Sequence, residues 1–249
     1  MQQEVIIVGG GMVGLSLALM LAKQNIAVKL LEAIKYPNYD DVNLAPYHSS
    51  FDARNSALSR RTVQIYQELG LWSALQEHAT PIFEVNITEQ GSFGKARLKA
   101  EQEKVESFGQ VIENAWLGRV LLTEVKKQPF IELIDGVQVT QLTQDADMAY
   151  IKASRGEEQL SLQAKLVIAA DGRDSFCRKA LGIGASEHDY DQVAIVTTVQ
   201  TSKPHNHVGF ERFSSLGPLA LLPLPGEYRR SVVWPVKKGT EGEWLGDEN

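Results

Sequence analysis

The feature that most constrains this chain is its opening run, Val5-Ile6-Ile7-Val8-Gly9-Gly10-Gly11-Met12-Val13-Gly14. Four consecutive apolar, mostly β-branched residues are too few for a helix and read as a strand covered on both faces, as in a parallel sheet. Gly9, Gly11 and Gly14 then fit G-x-G-x-x-G. In that pattern the first glycine makes the tight turn, the second lets backbone approach a pyrophosphate, and the third lets the helix pack close on the strand. The anion would rest on unpaired N–H groups at the helix N-terminus.

The glycine pattern alone is weak, and its surroundings decide. Leu15, Ala18, Leu19 and Ala22 recur at helical spacing, and Val28-Lys29-Leu30-Leu31-Glu32 reads as a second strand. Glu32 stands where a βαβ dinucleotide site places the acid that binds a ribose hydroxyl. A secretory signal peptide is the competing reading of so apolar a start. It lacks the basic n-region, since the only charge before the run is Glu4.

At 249 residues the chain can hold one large domain or two modest ones. A net charge of −6 without a long basic run argues against nucleic acid as a partner. The single cysteine, Cys177, excludes an internal disulfide and fits a reducing, cytoplasmic compartment. Apart from the glycine-bearing start, no apolar run approaches the ~18 residues of a membrane span, which leaves peripheral association with the inner membrane face open.

Residues 34 to 53 are polar and read as a long loop ending in Phe51-Asp52-Ala53-Arg54. From Leu58 a helix is expected with Ile65, Tyr66 and Leu69 on one face and Gly70 as its stop, so that Arg54 stands just before a helix. A solvated surface arginine is the plain alternative for Arg54. Phe83 to Thr88 and Ala96 to Ala100 suggest a hairpin, and a helix is expected from about Trp116 to Lys127 after Ile112-Glu113-Asn114. Ile131 to Leu133, Gly136 to Leu142, Ala149 to Ala153 and Gln159 to Leu162 read as a β-meander beside the parallel sheet.

A second strand-and-turn site follows in Leu166-Val167-Ile168-Ala169-Ala170-Asp171-Gly172, leading through Ser175 to Arg178 and a short helix. Ligands of open parallel sheets sit beyond the carboxyl ends of the strands, so Asp171 is aimed at the edge that carries the glycine turn. A simple Asp-Gly turn is the plain reading. Beyond Gly184, Val193 to Val199, Val208 to Phe213, Leu219 to Leu224 and Ser231 to Val236 form a further strand-rich block. The histidines lack partners at recognisable spacing, His205-x-His207 included, and no residue sits in a nucleophile motif. An enzyme of this kind would draw its chemistry from a cofactor.

In order and spacing these motifs resemble the flavoprotein aromatic hydroxylases, the para-hydroxybenzoate hydroxylase family. The finer likeness is to its ubiquinone-biosynthesis branch, of the 2-octaprenyl-6-methoxyphenol hydroxylase type. It is carried by Phe51 to Arg54, Ile112 to Asn114 and Phe210 to Pro223. The resemblance implies an α/β fold: a Rossmann-like FAD-binding domain, with parallel sheet and β-meander, over 1–80 and 110–184. A mostly antiparallel substrate domain would take 81–109 and 185–249. Gly9, Gly11 and Gly14 would cradle the ADP half of FAD, and Glu32 would bind its ribose. Arg54, Asn114, Asp171, Gly172, Ser175 and Arg178 would also serve the cofactor, and the backbone of Val139 would meet adenine. The implied reaction is monooxygenation: NAD(P)H reduces FAD, and a flavin hydroperoxide formed with O2 hydroxylates a prenylated phenol. The strand Leu219 to Leu224 is a candidate wall for the prenyl chain, with ordinary sheet core as the alternative.

The family's third motif, a Gly-Asp segment leading into a helix, is missing. Gly246-Asp247 carries the dipeptide without the strand and helix around it. The chain therefore reads as the N-terminal part of a longer protein, with the C-terminal part absent and activity of this part alone not expected. A flavin- or NAD-linked dehydrogenase or reductase, and a non-catalytic nucleotide-binding or scaffold subunit of a biosynthetic complex, stay open as other readings.

Overall fold

The computed structural model describes residues 5–36, 52 and 54–245. Most of the expected loop 34–53, Phe51 and Ala53 of the arginine motif, Glu4 and the Gly246-Asp247 dipeptide lie outside the described residues.

In chain order the elements begin with β1 (Val5–Val8), α1 (Met12–Lys23), β2 (Val28–Leu31), β3 (Asn55–Ser59), α2 (Arg60–Glu68), α3 (Trp72–Leu75) and β4 (Ala79–Pro81). There follow β5 (Glu84–Glu89), β6 (Lys95–Lys99), β7 (Gly109–Glu113), α4 (Asn114–Lys127), β8 (Ile131–Ile134), β9 (Gln138–Gln144), β10 (Ala149–Arg155) and β11 (Glu158–Ala164). The chain continues with β12 (Leu166–Ala169), α5 (Phe176–Ala180), β13 (Gln192–Gln200), β14 (Val208–Ser214), β15 (Gly217–Pro223), β16 (Arg229–Lys237) and α6 (Gly242–Leu245). They divide into two compact units, Met1–Ala53 with Asn114–Ser186 and Arg54–Glu113 with Glu187–Asn249.

The first unit is built on a parallel sheet of order β12-β1-β2-β8. Its strands are in register at their carboxyl ends: Val8 lies opposite both Leu31 and Ala169, and Leu31 opposite Ile134. Because side chains alternate along a strand, Ile6 and Val8 point one way and Val5 and Ile7 the other. Ile6, Val8 and Leu31 pack with Val137, just before β9, and with Val139, Leu142 and Ile151 of the antiparallel meander β11-β10-β9. Helices α1 and α4 pack on each other and against the sheet strands. In α1 the buried residues are Gly14, Leu15, Ala18, Leu19 and Ala22, the stripe read from the sequence. Full burial of a side chain such as Ile6 contributes about 1.5–3 kcal/mol.

One strand expected in the meander belongs elsewhere. β8 pairs parallel with β2, because α4 feeds it back as a crossover helix returns a chain to a parallel sheet.

The second unit holds a six-stranded sheet, β13-β16-β15-β14-β5-β6, and a smaller one, β3-β7-β4. All neighbours in the larger sheet are antiparallel except β14 and β5, which run parallel. The expected hairpin is present as β5 and β6. Leu58 proves to be a strand residue: β3 pairs with β7, and the helix starts only after Ser59, whose hydroxyl caps it by accepting from Thr62 N–H at 3.2 Å. Arg54 thus precedes a strand rather than a helix. These pairings also group residues 54–80 with the second unit, not with the parallel sheet.

Candidate functional site

Register places the turn after β1, the end of β2 and the turn after β12 at one edge of the parallel sheet. Gly9 N–H extends the ladder to Leu31 carbonyl at 2.8 Å, and Ala170 N–H donates to Val8 carbonyl at 2.7 Å. Gly9 has φ +106°, and a Cβ there would stand 2.3 Å from Ala170 carbonyl oxygen. Only glycine satisfies both demands. A Cβ on Gly14 would lie 1.9 Å from Gly9 carbonyl oxygen, so the helix meets the turn at van der Waals contact. Gly11 stands at the N-cap of α1 and offers no side-chain cap, leaving the first-turn N–H groups to another acceptor.

Glu32 is buried at the end of β2. Its carboxylate accepts from Gly10 N–H at 2.6 Å and from Ile34 N–H at 2.8 Å. Tyr36 closes the same turn: its hydroxyl donates to Gly10 carbonyl, and its N–H donates to Asp135 at 2.8 Å. A Cβ on Gly10 would stand 2.1 Å from the Tyr36 hydroxyl.

On the other side of β1, Asp171 Oδ2 accepts from Cys177 N–H at 3.0 Å, while Oδ1 is buried without a hydrogen-bond partner. Burial pushes the Asp171 carboxyl up, but hydrogen bonds from Ser175 and from Cys177 N–H outweigh it and hold the group below its ordinary value. Cys177 beneath it is inert, its thiol pushed up to about 12 by burial and then by the Asp171 charge.

Gly9, Gly11, Glu32, Val139, Asp171 and Gly172 line a single cleft of about 450 Å³. Val139 turns its side chain into the core, so backbone is what it can offer, opposite a register shift between Lys152 and Ala153. The remaining expected residues are placed differently. Arg178 braces the turn, its guanidinium donating to Arg173 carbonyl at 2.8 Å and its N–H to Ser175 Oγ at 2.9 Å, and it is Arg173 that lines the cleft. Asn114 is buried at the start of α4 and is not among the cleft's lining residues. Arg54 is exposed in the second unit. Gly10, Tyr36 and Arg173 escaped the sequence reading. Of these Gly10, inside the glycine run, and Arg173, directly after Asp171-Gly172, carried a local signal, and Tyr36 carried none.

The cleft suits a dinucleotide in shape and chemistry: backbone without side chains at a helix N-terminus, an acid at the second strand, and a buried carboxylate oxygen still lacking a donor. Among the described residues no helix is long and apolar enough to cross a membrane.

Comparison with known proteins agrees with this geometry. Ubiquinone hydroxylase UbiL of Rhodospirillum rubrum is 33% identical over 231 residues, covering 93% of this chain and 51% of the relative. The 3-demethoxyubiquinol 3-hydroxylase of Escherichia coli is 31% identical over 233 residues, covering 93% and 56%. Among solved structures, p-nitrophenol 4-monooxygenase PnpA of Pseudomonas putida superposes with a TM-score of 0.77 at 20% identity, over 98% of this chain and 60% of that one. Klebsiella pneumoniae HpxO, complexed with FAD and uric acid, gives 0.73 at 19% identity, over 95% and 57%. At such identities the two structures speak for the fold. The chain spans about half the length of the curated relatives it matches. A family profile described as "FAD binding domain" matches residues 2–247, nearly the whole of what is described above, and the chain belongs to that family.

Proposed function

We propose that the protein is an FAD-dependent monooxygenase that hydroxylates a prenylated phenol in ubiquinone biosynthesis, with NAD(P)H and O2 as co-substrates. The observation that carries the cofactor assignment is the convergence of Gly9, Glu32 and Asp171 on one cleft, with Asp171 Oδ1 buried and lacking a donor. The choice of reaction and substrate class rests on the relatives' names and on the family resemblance.

In this reading the backbone at Gly9 and Gly11 and the first turn of α1 hold the pyrophosphate, and Gly14 sets the helix close enough to do so. Glu32 serves the ribose, the Val139 backbone meets adenine, and Asp171 with Gly172 closes the cleft. For Arg54, Asn114 and Arg178 a cofactor role rests on the resemblance alone. FAD when bound supplies electron transfer and oxygen activation, and the chain's part is to hold it and orient the ring.

The test is made on the full-length protein. Stoichiometric flavin absorbance, together with label from ¹⁸O₂ in the hydroxylated prenylphenol on addition of NAD(P)H, is the expected result. NAD(P)H oxidation without incorporated label would make the protein a dehydrogenase or reductase. Absence of flavin, with stable co-purification of partner enzymes, would make it a scaffold subunit.

A further inference from the structure

The six-stranded sheet carries one carboxylate with no structural employment. Glu211 in β14 lies opposite Ala220 of β15 and Ile87 of β5. Ala220 lies opposite Val233, and Val233 opposite Val196. By the alternation of side chains, Ile87, Glu211, Ala220, Val233 and Val196 form one row across five strands on one face. Leu222 and Phe213, two residues away along their strands, flank that row with more apolar surface on the same face.

Glu211 is half-buried in this row, and burial raises its pKa. Among the described residues its carboxylate makes no hydrogen bond or ion pair. Its chain neighbour Arg212 points to the opposite face, and the diagonally placed Glu89 accepts from Ser92 Oγ at 2.7 Å. The opposite face shows the contrast, for there Glu84 is paired with Arg97 at 3.2 Å. A partly desolvated carboxyl whose only partner is solvent gains nothing for the fold and is the kind of group retained for a ligand. An acceptor on this face is buried and unfilled: Asn55 Nδ2 donates to Ser231 Oγ at 3.2 Å, Ser231 lies opposite Leu222, and Asn55 Oδ1 is buried without a partner.

We propose that Glu211 accepts a hydrogen bond from the hydroxyl of the aromatic substrate, whose ring and apolar substituents lie on the aliphatic row around it, and that it selects free phenols over their ethers. This rests on the reading of the protein as a phenol hydroxylase. The chemistry of the face favours a neutral, hydroxylated and otherwise apolar ring. An anionic ligand would meet the carboxylate's repulsion, and a purely apolar one would leave it desolvated and still unpaired.

The experiment titrates FAD-loaded full-length protein with a short-chain prenylphenol and with its methyl ether, following the flavin absorbance band. The natural protein is expected to prefer the phenol by about 10- to 100-fold, the range for a hydrogen bond to a charged acceptor. Glu211→Leu should bring phenol and ether to equal affinity. Glu211→Gln, nearly isosteric, should weaken phenol binding about tenfold and leave the ether where it was, with FAD content unchanged in both variants. A phenol-to-ether ratio in the variants equal to that of the natural protein overturns the role of Glu211 while leaving the hydroxylase reading intact. A natural protein whose flavin responds to neither compound, and which hydroxylates no phenol, overturns both.

Discussion

Gly10 and Glu32, 22 residues apart, are joined by a buried 2.6 Å hydrogen bond from the backbone N–H of the glycine turn to the carboxylate at the end of β2. The acid expected to serve a ribose therefore also fixes the turn that would hold the phosphates. Glu32→Ala would leave the Gly10 and Ile34 N–H groups without this acceptor, at about 1–3 kcal/mol for buried donors. Lower thermal stability and weaker FAD retention should appear together, measured by unfolding midpoint and by flavin fluorescence after dialysis. Glu32→Gln keeps an acceptor oxygen for one of the two N–H groups and should fall between.

The glycines should separate by what surrounds them. Gly9→Ala would place a methyl 2.3 Å from Ala170 carbonyl, and Gly10→Ala one 2.1 Å from the Tyr36 hydroxyl. Gly70, at φ +77° with nothing within 4 Å of an added Cβ, has only the conformational penalty to meet, about 1–2 kcal/mol. Flavin content of the purified variants should therefore collapse for Gly9→Ala and stay near normal for Gly70→Ala. Gly10→Ala should be partly rescued by Tyr36→Phe, since the nearest obstacle is the Tyr36 hydroxyl oxygen, which the second change removes.

Much of the site was legible because its signals are local. Val5–Val8, Val28–Leu31 and Leu166–Ala169 are short, largely apolar runs followed within two residues by glycine or acid, and three such runs with a helix between the first two leave few arrangements other than a parallel sheet. What failed was partner choice. Ile131–Ile134 is as apolar as a meander strand, and nothing within four residues says that it pairs with β2. Leu58 continues the spacing of α2 but is claimed by β7, a tertiary pairing that overrides the helical pattern. Tyr36 was unreadable for the same reason, since its N–H finds Asp135 across 99 residues. Of the alternatives for Leu219 to Leu224, the register supports a divided answer. Ala220 and Leu222 share the face of Glu211, whereas Leu219 and Leu221 point to the other side.

Cys177 should behave as a buried thiol. With its pKa pushed up to about 12, first by burial and then by Asp171, it carries negligible thiolate at pH 8 and should resist a disulfide reagent until the protein unfolds. The linkage has a definite sign: a raised folded pKa leaves stability intact below the ordinary thiol value of 9.0 and loses it as pH rises from there toward 12. Thiol titration in native and denaturing buffer checks the first expectation. A Cys177→Ala variant whose stability falls off less between pH 9 and 11 checks the second.

Asp171 should show the opposite dependence. Burial raises its carboxyl pKa, but the Ser175 and Cys177 hydrogen bonds prevail and the net shift is downward from 3.8. A group depressed in the folded state contributes stability above its unfolded pKa, and the contribution is lost as pH falls through the lower, folded value. The stability difference between the natural protein and Asp171→Asn should be constant from about pH 7 to 5 and shrink below pH 4. Because the carboxyl is only partly buried and solvent screens it, the plateau is set at about 1 kcal/mol, below the roughly 1.5–3 kcal/mol that hydrogen bonds to a charged group give when buried. Urea unfolding from pH 7 to 3 reads the difference directly. A gap that widened on acidification would mean that burial, not the turn's hydrogen bonds, governs this carboxylate.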